Sequence, residues 1–381
     1  MACLRLRIAT LPATFSALAL ALGIAAAQPR CPAPDGFPNP ALLETMRRGV
    51  NLPNWDHPDA TMRPRVEQLR ALRAEGFTHI RLPVERPPLH DGAQQAFAEA
   101  LFEQIVILLS LDYTVSIDLH AGHLAEPYLL RGPAEAQAFL SAIWRRMAPA
   151  VRVFDTDKVA VELLNEPPTD QSTWRTVAAG LVADIRQWLP GRTIVVGPAG
   201  PQRHEDLAGM EPFGDNNIVY AVHYYDPFLF THQGANWGGP DDPLQYIGGL
   251  PFPAKIGDEA VQASITSLRR QGRGAIADEV ERAFDQPWSA EGMASAFGMM
   301  AEWSERFDRP VVVNEFGALT FTAPRDSRLA WLAAASRQAE AHCIGWTHWD
   351  FQDGFGLIDP DTGMPDMDAV DALIPDSSED Y

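Results

Sequence analysis

Short apolar runs rich in β-branched residues alternate along the chain with longer segments in which apolar positions recur every three to four residues. Runs of the first kind are typical of buried parallel strands, and segments of the second kind are typical of amphipathic helices. The pattern predicts eight strands: Gly49–Leu52, Thr78–Leu82, Thr114–Leu119, Val159–Leu164, Thr193–Val196, Ile218–Val222, Val311–Asn314 and Ile344–Trp349.

The segments between these strands carry apolar stripes, such as Val66, Leu69 and Leu72, that can each cover one face of a sheet. Eight strands that alternate with helices favour an α/β fold with a closed parallel sheet, the (β/α)8 or TIM barrel. An open doubly wound sheet fits less well, because no glycine-rich phosphate loop follows the first strand.

A long insertion, Asp226–Trp288, follows the sixth predicted strand and contains two helical pieces, Glu259–Arg269 and Ala275–Ala283. Long loops of this kind usually shape a functional site. We expect one catalytic domain over residues 28–375, followed by a disordered acidic tail over residues 376–381.

The first 27 residues have the layout of a secretory signal peptide: Arg5 and Arg7, then the apolar run Leu11–Ala27 with small residues at its end. We therefore expect a secreted or periplasmic protein. No later stretch approaches the ~20 apolar residues of a membrane span, so no membrane association is predicted once the signal is removed.

The formal charge of −20 disfavours nucleic acid or an anionic membrane as a partner and suits a neutral substrate. The chain has three cysteines, of which Cys3 lies within the signal. Cys31 and Cys343 either form a disulfide or are two unrelated thiols; in a barrel, the segment before strand one lies beside strand eight, which brings them within reach. A monomer is expected.

Polar side chains stand where the predicted strands stop, which is where barrel enzymes place their catalytic groups. These positions are Arg81, Asp118-Leu119-His120, Asn165-Glu166-Pro167, His223-Tyr224-Tyr225, Asn314-Glu315-Phe316-Gly317 and Trp349. Glu166 and Glu315 can converge at the barrel mouth, and two carboxylates about 5 to 5.5 Å apart are the requirement of a retaining glycosidase. An arginine and a tyrosine hydroxyl beside one glutamate would keep it ionised, and a drier pocket beside that anion would keep the other protonated.

The motifs Asn165-Glu166-Pro167 and Glu315-Phe316-Gly317 resemble the acid/base and nucleophile motifs of glycoside hydrolase family 5, the cellulase family. By this resemblance Glu166 is the general acid/base and Glu315 is the nucleophile. Asn165 would hold the 2-hydroxyl of the sugar in subsite −1, and Arg81 and Tyr225 would orient Glu315.

The resemblance extends around the barrel and implies that His120 and His223 line the same subsite. It also implies that Trp349 is the floor on which the sugar stacks, because the C–H face of a glucose ring is apolar and packs on an indole. Trp55 and Trp237 are further candidate platforms, and His123 and Asn51 are weaker candidates for sugar binding.

The segment Asp226–Trp237, which includes His232, resembles the loop after strand six in bacterial endoglucanases of this family, some of which also cut mannan. It is either part of the sugar site or a lid without sugar contact. The cluster Asp118, His120 and His123 could be mistaken for a metal site, but a catalytic metal usually needs three convergent ligands. We predict no metal and no cofactor.

The leading hypothesis is an endo-acting β-1,4-glucanase that works by double displacement with retention. The same chemistry on β-mannan, xyloglucan or β-1,3-glucan is the alternative, since discrimination between these sugars depends on a few loop contacts. Two further classes are a non-hydrolytic carbohydrate-binding barrel and a metal-dependent hydrolase on the same fold.

Overall fold

The computed structural model describes residues 31–375, which form a closed barrel of eight parallel strands in chain order, with β1 paired to both β2 and β8. The strands are β1 Arg48–Asn51, β2 His79–Pro83, β3 Thr114–Asp118, β4 Val159–Glu162, β5 Ile194–Val196, β6 Ile218–Tyr224, β7 Val311–Phe316 and β8 Gly345–His348. The predicted (β/α)8 barrel is confirmed. The predicted signal peptide and acidic tail lie outside the described residues.

Helices alternate with the strands and cover the outside of the barrel. They are α1 Pro40–Thr45, α2 Val66–Ala74, α3 Asp91–Ser110, α4 Gly122–Leu129, α5 Pro133–Val151, α6 Gln171–Trp188, α7 His204–Leu207, α8 Phe228–Thr231, α9 Glu259–Arg270, α10 Gly274–Ala283, α11 Ala290–Phe307, α12 Arg325–Ala341 and α13 Met367–Leu373. In α2 the buried residues include Leu69 and Leu72, as the apolar stripe predicts. Among residues 31–375, no helix combines the length and the apolar character that crossing a membrane requires.

The observed strands begin within one residue of the predicted positions and differ mainly at their ends. β6 continues to Tyr224 and β7 continues to Phe316, each two residues beyond the prediction. The strands extend this far because Tyr224 pairs with Phe316. The apolar pattern stops earlier, since the polar site residues His223 and Glu315 interrupt it.

The helix α1 closes the end of the barrel where the strands begin. Leu42 and Met46 pack against strand residues that point into the barrel, among them Ala160 and Val219. Cys31, which precedes α1, is joined by a disulfide to Cys343, which lies between α12 and β8. The bridge therefore fastens the N-terminal segment at the end of the barrel opposite the strand ends that carry the predicted site.

The insertion after β6 contains α8, a short 3₁₀ helix at Pro243–Tyr246, and the pair α9 and α10. The bounds of α9 and α10 agree with the predicted pieces to within one residue. The insertion rejoins the barrel through α11, which leads into β7. Leu319, just after β7, donates its N–H to the Thr231 carbonyl at 2.9 Å, so the loop that begins at Tyr225 is held beside the C-terminal ends of β6 and β7.

Candidate active site

Arg81 on β2 is the centre of a buried polar layer inside the barrel. Its guanidinium donates to Glu162 at 2.7 and 3.0 Å, to Glu315 at 2.6 Å, to Asn165 at 2.8 Å and to Asn51 at 3.0 Å. Asp118 lies 3.0 Å from the same group. Burial opposes the charge of Arg81, yet the surrounding carboxylates raise its pKa well above the usual range, so the cation is permanent.

Glu315 is held by donors on both of its oxygens. Oε1 accepts from Arg81, and Oε2 accepts from the hydroxyl of Tyr225 at 3.1 Å. Because both oxygens accept hydrogen bonds, this arrangement suits the ionised carboxylate, which has no proton to donate.

An extra residue in β7 aims Glu315 at this position. Val222 pairs with Val313, but His223 pairs with Glu315, so Asn314 is inserted in the ladder. Side chains normally alternate between the two faces of a strand, yet Asn314 bonds to Glu162 and Glu315 bonds to Arg81, both inside the barrel. A bulge of this kind re-aims a side chain and is common beside active sites.

Glu166, just beyond β4, has a left-handed backbone with φ of 40°. Non-glycine residues rarely adopt this conformation, and here it is stabilised by the side chain of Gln202, whose Oε1 accepts the Glu166 N–H at 2.6 Å. The carboxylate of Glu166 contacts Nδ1 of His223 at 2.9 Å, and the side chain is 40% exposed. The Glu166 carboxylate is therefore accessible to solvent, and its orientation is fixed by Gln202 and His223.

One carboxylate oxygen of Glu166, one of Glu315 and a ring nitrogen of His223 all lie within 4.8 Å of one another. His223 Nδ1 is also 3.5 Å from Oε2 of Glu315, so the imidazole touches both acids. A separation of this size suits the retaining geometry and leaves too little room for the intervening water of the inverting reaction.

The contact between Glu166 and His223 differs from the expectation that a dry pocket holds Glu166 protonated. Burial disfavours a charged His223, but the carboxylates of Glu315 and Glu166 raise its pKa overall. Burial likewise raises the pKa of Glu166, and the hydrogen bond and charge of His223 outweigh it, so that this pKa lies below its usual value. The expectation of a protonated Glu166 was made without His223, whose Nδ1 lies 2.9 Å from the carboxylate.

His120, Asn165 and Trp349 form the next part of the site. His120 stacks on Trp349 with the ring centroids 5.5 Å apart, and its Nδ1 contacts Asp118 at 2.8 Å. Burial lowers the pKa of His120, but Asp118 raises it overall. Nδ2 of Asn165 lies 3.4 Å from Nε2 of His120, so the predicted −1 residues are brought together beside Arg81.

An aromatic wall continues from Tyr225 along the loop after β6. His232 lies 5.0 Å from Tyr225, 5.4 Å from Phe355 and 6.2 Å from Trp237, measured between ring centroids. Trp237 is 59% exposed, so its ring is free for stacking. The wall joins residues of the predicted loop to Phe355, which follows β8 and which the sequence analysis missed.

The structure does not support a role in sugar contact for two of the predicted residues. Trp55 is buried in the core, with its indole N–H bonded to the Pro83 carbonyl at 2.7 Å. Asn51 is fully buried and holds Arg81 and the Asn314 carbonyl. Asn51 ends the first strand and Trp55 follows it, but the first side chain is buried among the polar groups around Arg81 and the second is buried in the hydrophobic core.

His123 is exposed in the first turn of α4. The preceding Gly122 lies against the backbone carbonyls of Asn165 and Glu166, so His123 stands beside the site without a hydrogen bond to another described side chain. Its assignment as a sugar-binding residue stays a prediction.

Two positioning residues escaped the sequence analysis. Glu162 is fully buried and accepts from both Arg81 and Asn314. Gln202 is also fully buried, and besides bonding Glu166 it accepts the His223 backbone N–H at 2.8 Å through its own carbonyl. Glu162 could have been found from its spacing, because it stands two residues after Ala160 and both side chains point into the barrel. No sequence pattern indicated Gln202.

Two groups of side chains among residues 31–375 have the spacing of metal ligands: Glu166, His223 and Glu315, and separately His204, Glu205 and Asp226. In the first, the guanidinium of Arg81 already lies against Glu315. In the second, Arg203 lies 2.7 Å from Glu205 and 3.2 Å from Asp226. An arginine within each group supplies the positive charge that a metal ion would bring.

A (β/α)8 barrel with two glutamates converging at its C-terminal face defines a glycoside hydrolase of the two-carboxylate class. Residues 44–352 match the family model of cellulase, glycosyl hydrolase family 5. The chain belongs to this family.

Curated relatives share about a quarter of their residues with this chain. Endoglucanase 3 of Fibrobacter succinogenes is 25% identical over 83% of this chain and 51% of its own length, so the chain spans about half of that protein. Endoglucanase C of Acetivibrio thermocellus is 22% identical over 81% of this chain and 92% of its own length.

Solved structures with the same fold include endoglucanase Cel5A of Thermotoga maritima. Its structure in complex with cellobiose superposes with a TM-score of 0.69 and 24% identity, covering 87% of this chain and 99% of that one. A complex of the same enzyme with mannotriose superposes with a TM-score of 0.68 and 23% identity, covering 88% and 100%.

Proposed function

We propose that this protein is a retaining endo-β-1,4-glucanase in which Glu315 is the nucleophile and Glu166 is the general acid/base. The observation that carries the proposal is the approach of the two carboxylates to within 4.8 Å, with both oxygens of Glu315 held by donors. This geometry suits attack by one carboxylate while the other serves the leaving oxygen.

In the first step, an oxygen of Glu315 forms a bond to the anomeric carbon as the bond to the leaving oxygen breaks. Arg81 and Tyr225 fix the carboxylate for this attack. Glu166 gives its proton to the leaving oxygen. In the second step, Glu166 takes a proton from water, the water oxygen attacks the anomeric carbon, and Glu315 is released.

The proton for the first step is available at the contact between His223 and Glu166. His223 has a raised pKa and Glu166 a lowered one, and Nδ1 of His223 lies 2.9 Å from Oε1 of Glu166, so a proton on Nδ1 is placed for direct transfer to the acid. Transfer from Nδ1 to Oε1 yields the protonated acid and a neutral imidazole. Substrate that excludes water favours this neutral pair over the ion pair.

The reacting sugar would lie on Trp349, with Asn165 at its 2-hydroxyl. Asn165 is oriented by Arg81 at 2.8 Å and Trp349 is stacked against His120, so both side chains are set before substrate arrives. Fixed groups of this kind lower the barrier because they need no reorganisation during the reaction.

Trp237 is exposed beside the aromatic wall and offers a stacking surface for a further sugar unit, which supports a chain substrate. The cellobiose complex of Cel5A supports β-1,4-glucan. Its mannotriose complex favours β-mannan as the second candidate.

We further propose that the protein acts outside the cytoplasm. The predicted signal peptide and the disulfide between Cys31 and Cys343 support this location, because disulfides persist in oxidising compartments. Fractionation of cells that produce the whole chain, with a blot for the protein in periplasm and medium, tests the location.

The catalytic assignment is tested with the isosteric variants Glu166→Gln and Glu315→Gln. We expect kcat on carboxymethylcellulose to fall by about 10³-fold or more for Glu315→Gln, and by roughly 10²- to 10⁴-fold for Glu166→Gln. Glu166→Gln should keep much of its rate of glycosyl transfer from dinitrophenyl β-cellobioside, since that leaving group needs no proton. Glu103→Gln on the exposed surface of α3 is the matched control.

A panel of reducing-sugar assays on β-1,4-glucan, β-mannan, xyloglucan and β-1,3-glucan ranks the substrates. Full activity in both glutamine variants would contradict catalysis by these residues and favour a carbohydrate-binding barrel. Release of the inverted anomer, followed by NMR, would contradict the double displacement.

A further inference from the structure

A buried threonine in the loop after β6 links this loop to the strand that carries Glu315. Thr231 is the last residue of the short helix α8 and is fully buried. Its backbone carbonyl accepts the N–H of Leu319 at 2.9 Å, and Leu319 lies just after β7. Thr231 is therefore fixed relative to the strand of the proposed nucleophile.

The hydroxyl of Thr231 has a defined direction. It lies 2.6 Å from the carbonyl oxygen of Tyr225 and 3.0 Å from Nδ1 of His232, while the carbonyl of Phe228 is farther away, at 3.3 Å. A carbonyl has no proton, so the hydroxyl donates to Tyr225, and its oxygen accepts from Nδ1 of His232. A neutral imidazole with its proton on Nδ1 fits this arrangement, since burial lowers the pKa of His232 to about 4.

The backbone of Tyr225 depends on this hydrogen bond. Tyr225 follows the last residue of β6, so the ladder of the sheet ends just before it. The carbonyl of the next residue, Asp226, is held by the indole N–H of Trp331 at 3.0 Å. The hydroxyl of Thr231 is the corresponding donor for Tyr225, and without it this carbonyl loses its partner and the backbone loses a fixed point.

The side chain of Tyr225 transmits this position to Glu315. Its hydroxyl donates to Oε2 of Glu315 at 3.1 Å, and its ring packs edge-on against His232 with the centroids 5.0 Å apart. Thr231 thus fixes the backbone of Tyr225 directly and supports its ring through His232. Because the phenol side chain is long, a small rotation of the backbone displaces its hydroxyl, and a misplacement of about 1 Å can cost about 10²-fold in rate.

We propose that Thr231 is a positioning residue for the nucleophile: its hydroxyl fixes Tyr225, and Tyr225 in turn fixes the carboxylate of Glu315. Thr231 does not contact the substrate, because it is fully buried. The inference rests on the proposed function, in which Glu315 attacks the anomeric carbon. It adds to that function the contact that holds the loop after β6 in register with β7.

The test isolates the attack of Glu315 from acid catalysis. With dinitrophenyl 2-deoxy-2-fluoro-β-cellobioside, an oxygen of Glu315 forms a bond to the anomeric carbon, and the bond to the leaving oxygen breaks with its electron pair going to dinitrophenolate. This anion leaves without a proton, so the step does not need Glu166. The rate of inactivation, with the adduct located on Glu315 by mass spectrometry, measures how well the nucleophile is placed.

We expect Thr231→Val to lower the second-order rate constant of inactivation roughly tenfold, because the hydroxyl is lost while the side-chain volume is kept. Thr231→Ser keeps the hydroxyl and should restore the wild-type rate. Thr231→Ala removes the hydroxyl without placing a methyl group against the Tyr225 carbonyl. It should show the same fall as Thr231→Val, so a folding defect in the valine variant does not decide the result.

Thr193→Val is the matched control at the opposite end of the barrel. Thr193 is also fully buried, and its hydroxyl donates to Asn217 at 2.9 Å and accepts from Asn39 at 2.8 Å. Its replacement should lower the melting temperature and leave the rate of inactivation at the wild-type value.

A double variant tests whether Thr231 acts through Tyr225. Tyr225→Phe removes the hydroxyl that donates to Glu315 and should slow inactivation. Once that hydroxyl is absent, Thr231 has nothing to position, so Tyr225→Phe/Thr231→Val should be no slower than Tyr225→Phe alone. A general loss of structure would instead multiply the two effects.

An unchanged rate in Thr231→Val and Thr231→Ala, or effects that multiply in the double variant, overturns the proposal. Folded wild-type protein that forms no adduct on Glu315 would instead contradict the proposed function. A wild type that is labelled on Glu315, at a rate insensitive to Thr231, leaves the proposed function intact and removes only the role of Thr231.

Discussion

His223 lies between the two glutamates, and its charge controls the ionisation of Glu166. The pKa of His223 is raised by the carboxylates, and the pKa of Glu166 is lowered chiefly because the hydrogen bond and charge of His223 outweigh burial. General acid catalysis needs the proton that Glu166 receives from His223, so activity is lost as the pH rises and this pair loses its proton.

We therefore expect His223→Asn to move the alkaline limb of the kcat/KM profile to lower pH, since the amide cannot hold the proton that Glu166 receives from the imidazole. The profile on an aryl β-cellobioside measures this. His232→Asn is the control: burial lowers the pKa of His232 to about 4, so this imidazole is neutral in the working range and its loss removes no charge. An alkaline limb that stays in place or moves to higher pH in His223→Asn would count against the assignment.

Asp350, next to Trp349, is a buried acid that links stability to pH. It is 2% exposed and accepts the Asp353 N–H at 2.8 Å, and burial together with Asp353 raises its pKa from 3.8 to about 7. Between these values the folded protein holds a proton that the unfolded chain has released. Stability from this group therefore falls as the pH rises from about 4 to 7.

Asp350→Asn keeps the acceptor and removes the titration. We expect the variant to gain up to roughly 4 kcal/mol over the wild type between pH 4 and pH 8. Urea unfolding of both proteins across this range gives the difference. A constant gap between the two curves would show that Asp350 does not titrate there.

At the scale of single elements, β4 supports the site from inside the barrel. Glu162 accepts Arg81 Nε and Nη2 and the Asn314 amide, and so connects β2, β4 and β7. Arg81 has Asp118 and Glu315 as further charge partners, so it stays paired without the Glu162 charge, whereas a buried donor left without its acceptor typically costs about 1 to 3 kcal/mol.

Glu162→Gln should therefore lower the free energy of unfolding by about 1 to 3 kcal/mol, because the amide offers one acceptor oxygen instead of two to Arg81 and Asn314. Chemical denaturation measures this, with Glu103→Gln on the surface of α3 as the matched substitution. Equal stability of the two variants would contradict a supporting role for Glu162.

For the whole molecule, the disulfide between Cys31 and Cys343 fastens the N-terminal segment across a sequence separation of 312 residues. A cross-link restricts the unfolded chain and typically contributes about 2 to 4 kcal/mol. The double variant Cys31→Ser/Cys343→Ser should melt at a lower temperature, while its kcat at 25 °C stays at the wild-type value, because the bridge is at the far end of the barrel. A melting temperature equal to that of the wild type would show that the bridge adds no stability.

The sequence by itself determined the fold and the position of the acidic residues along it. Eight apolar runs predicted the eight strands, and the motifs around Glu166 and Glu315 indicated the family. These features are local, because a strand is specified by a short apolar run. All strands of a parallel barrel end at the same face, so the motifs that follow the strands lie at that face as well.

The tertiary structure decided which side chains reach the mouth and with what charge. The bulge at Asn314 aims Glu315 inward, Trp55 turns into the core while Trp349 remains in the cleft, and His223 reverses the expected pKa of Glu166. Each of these depends on contacts between segments far apart in the chain. A pattern read along one segment does not contain such contacts, because they are set by the register and packing of the closed barrel.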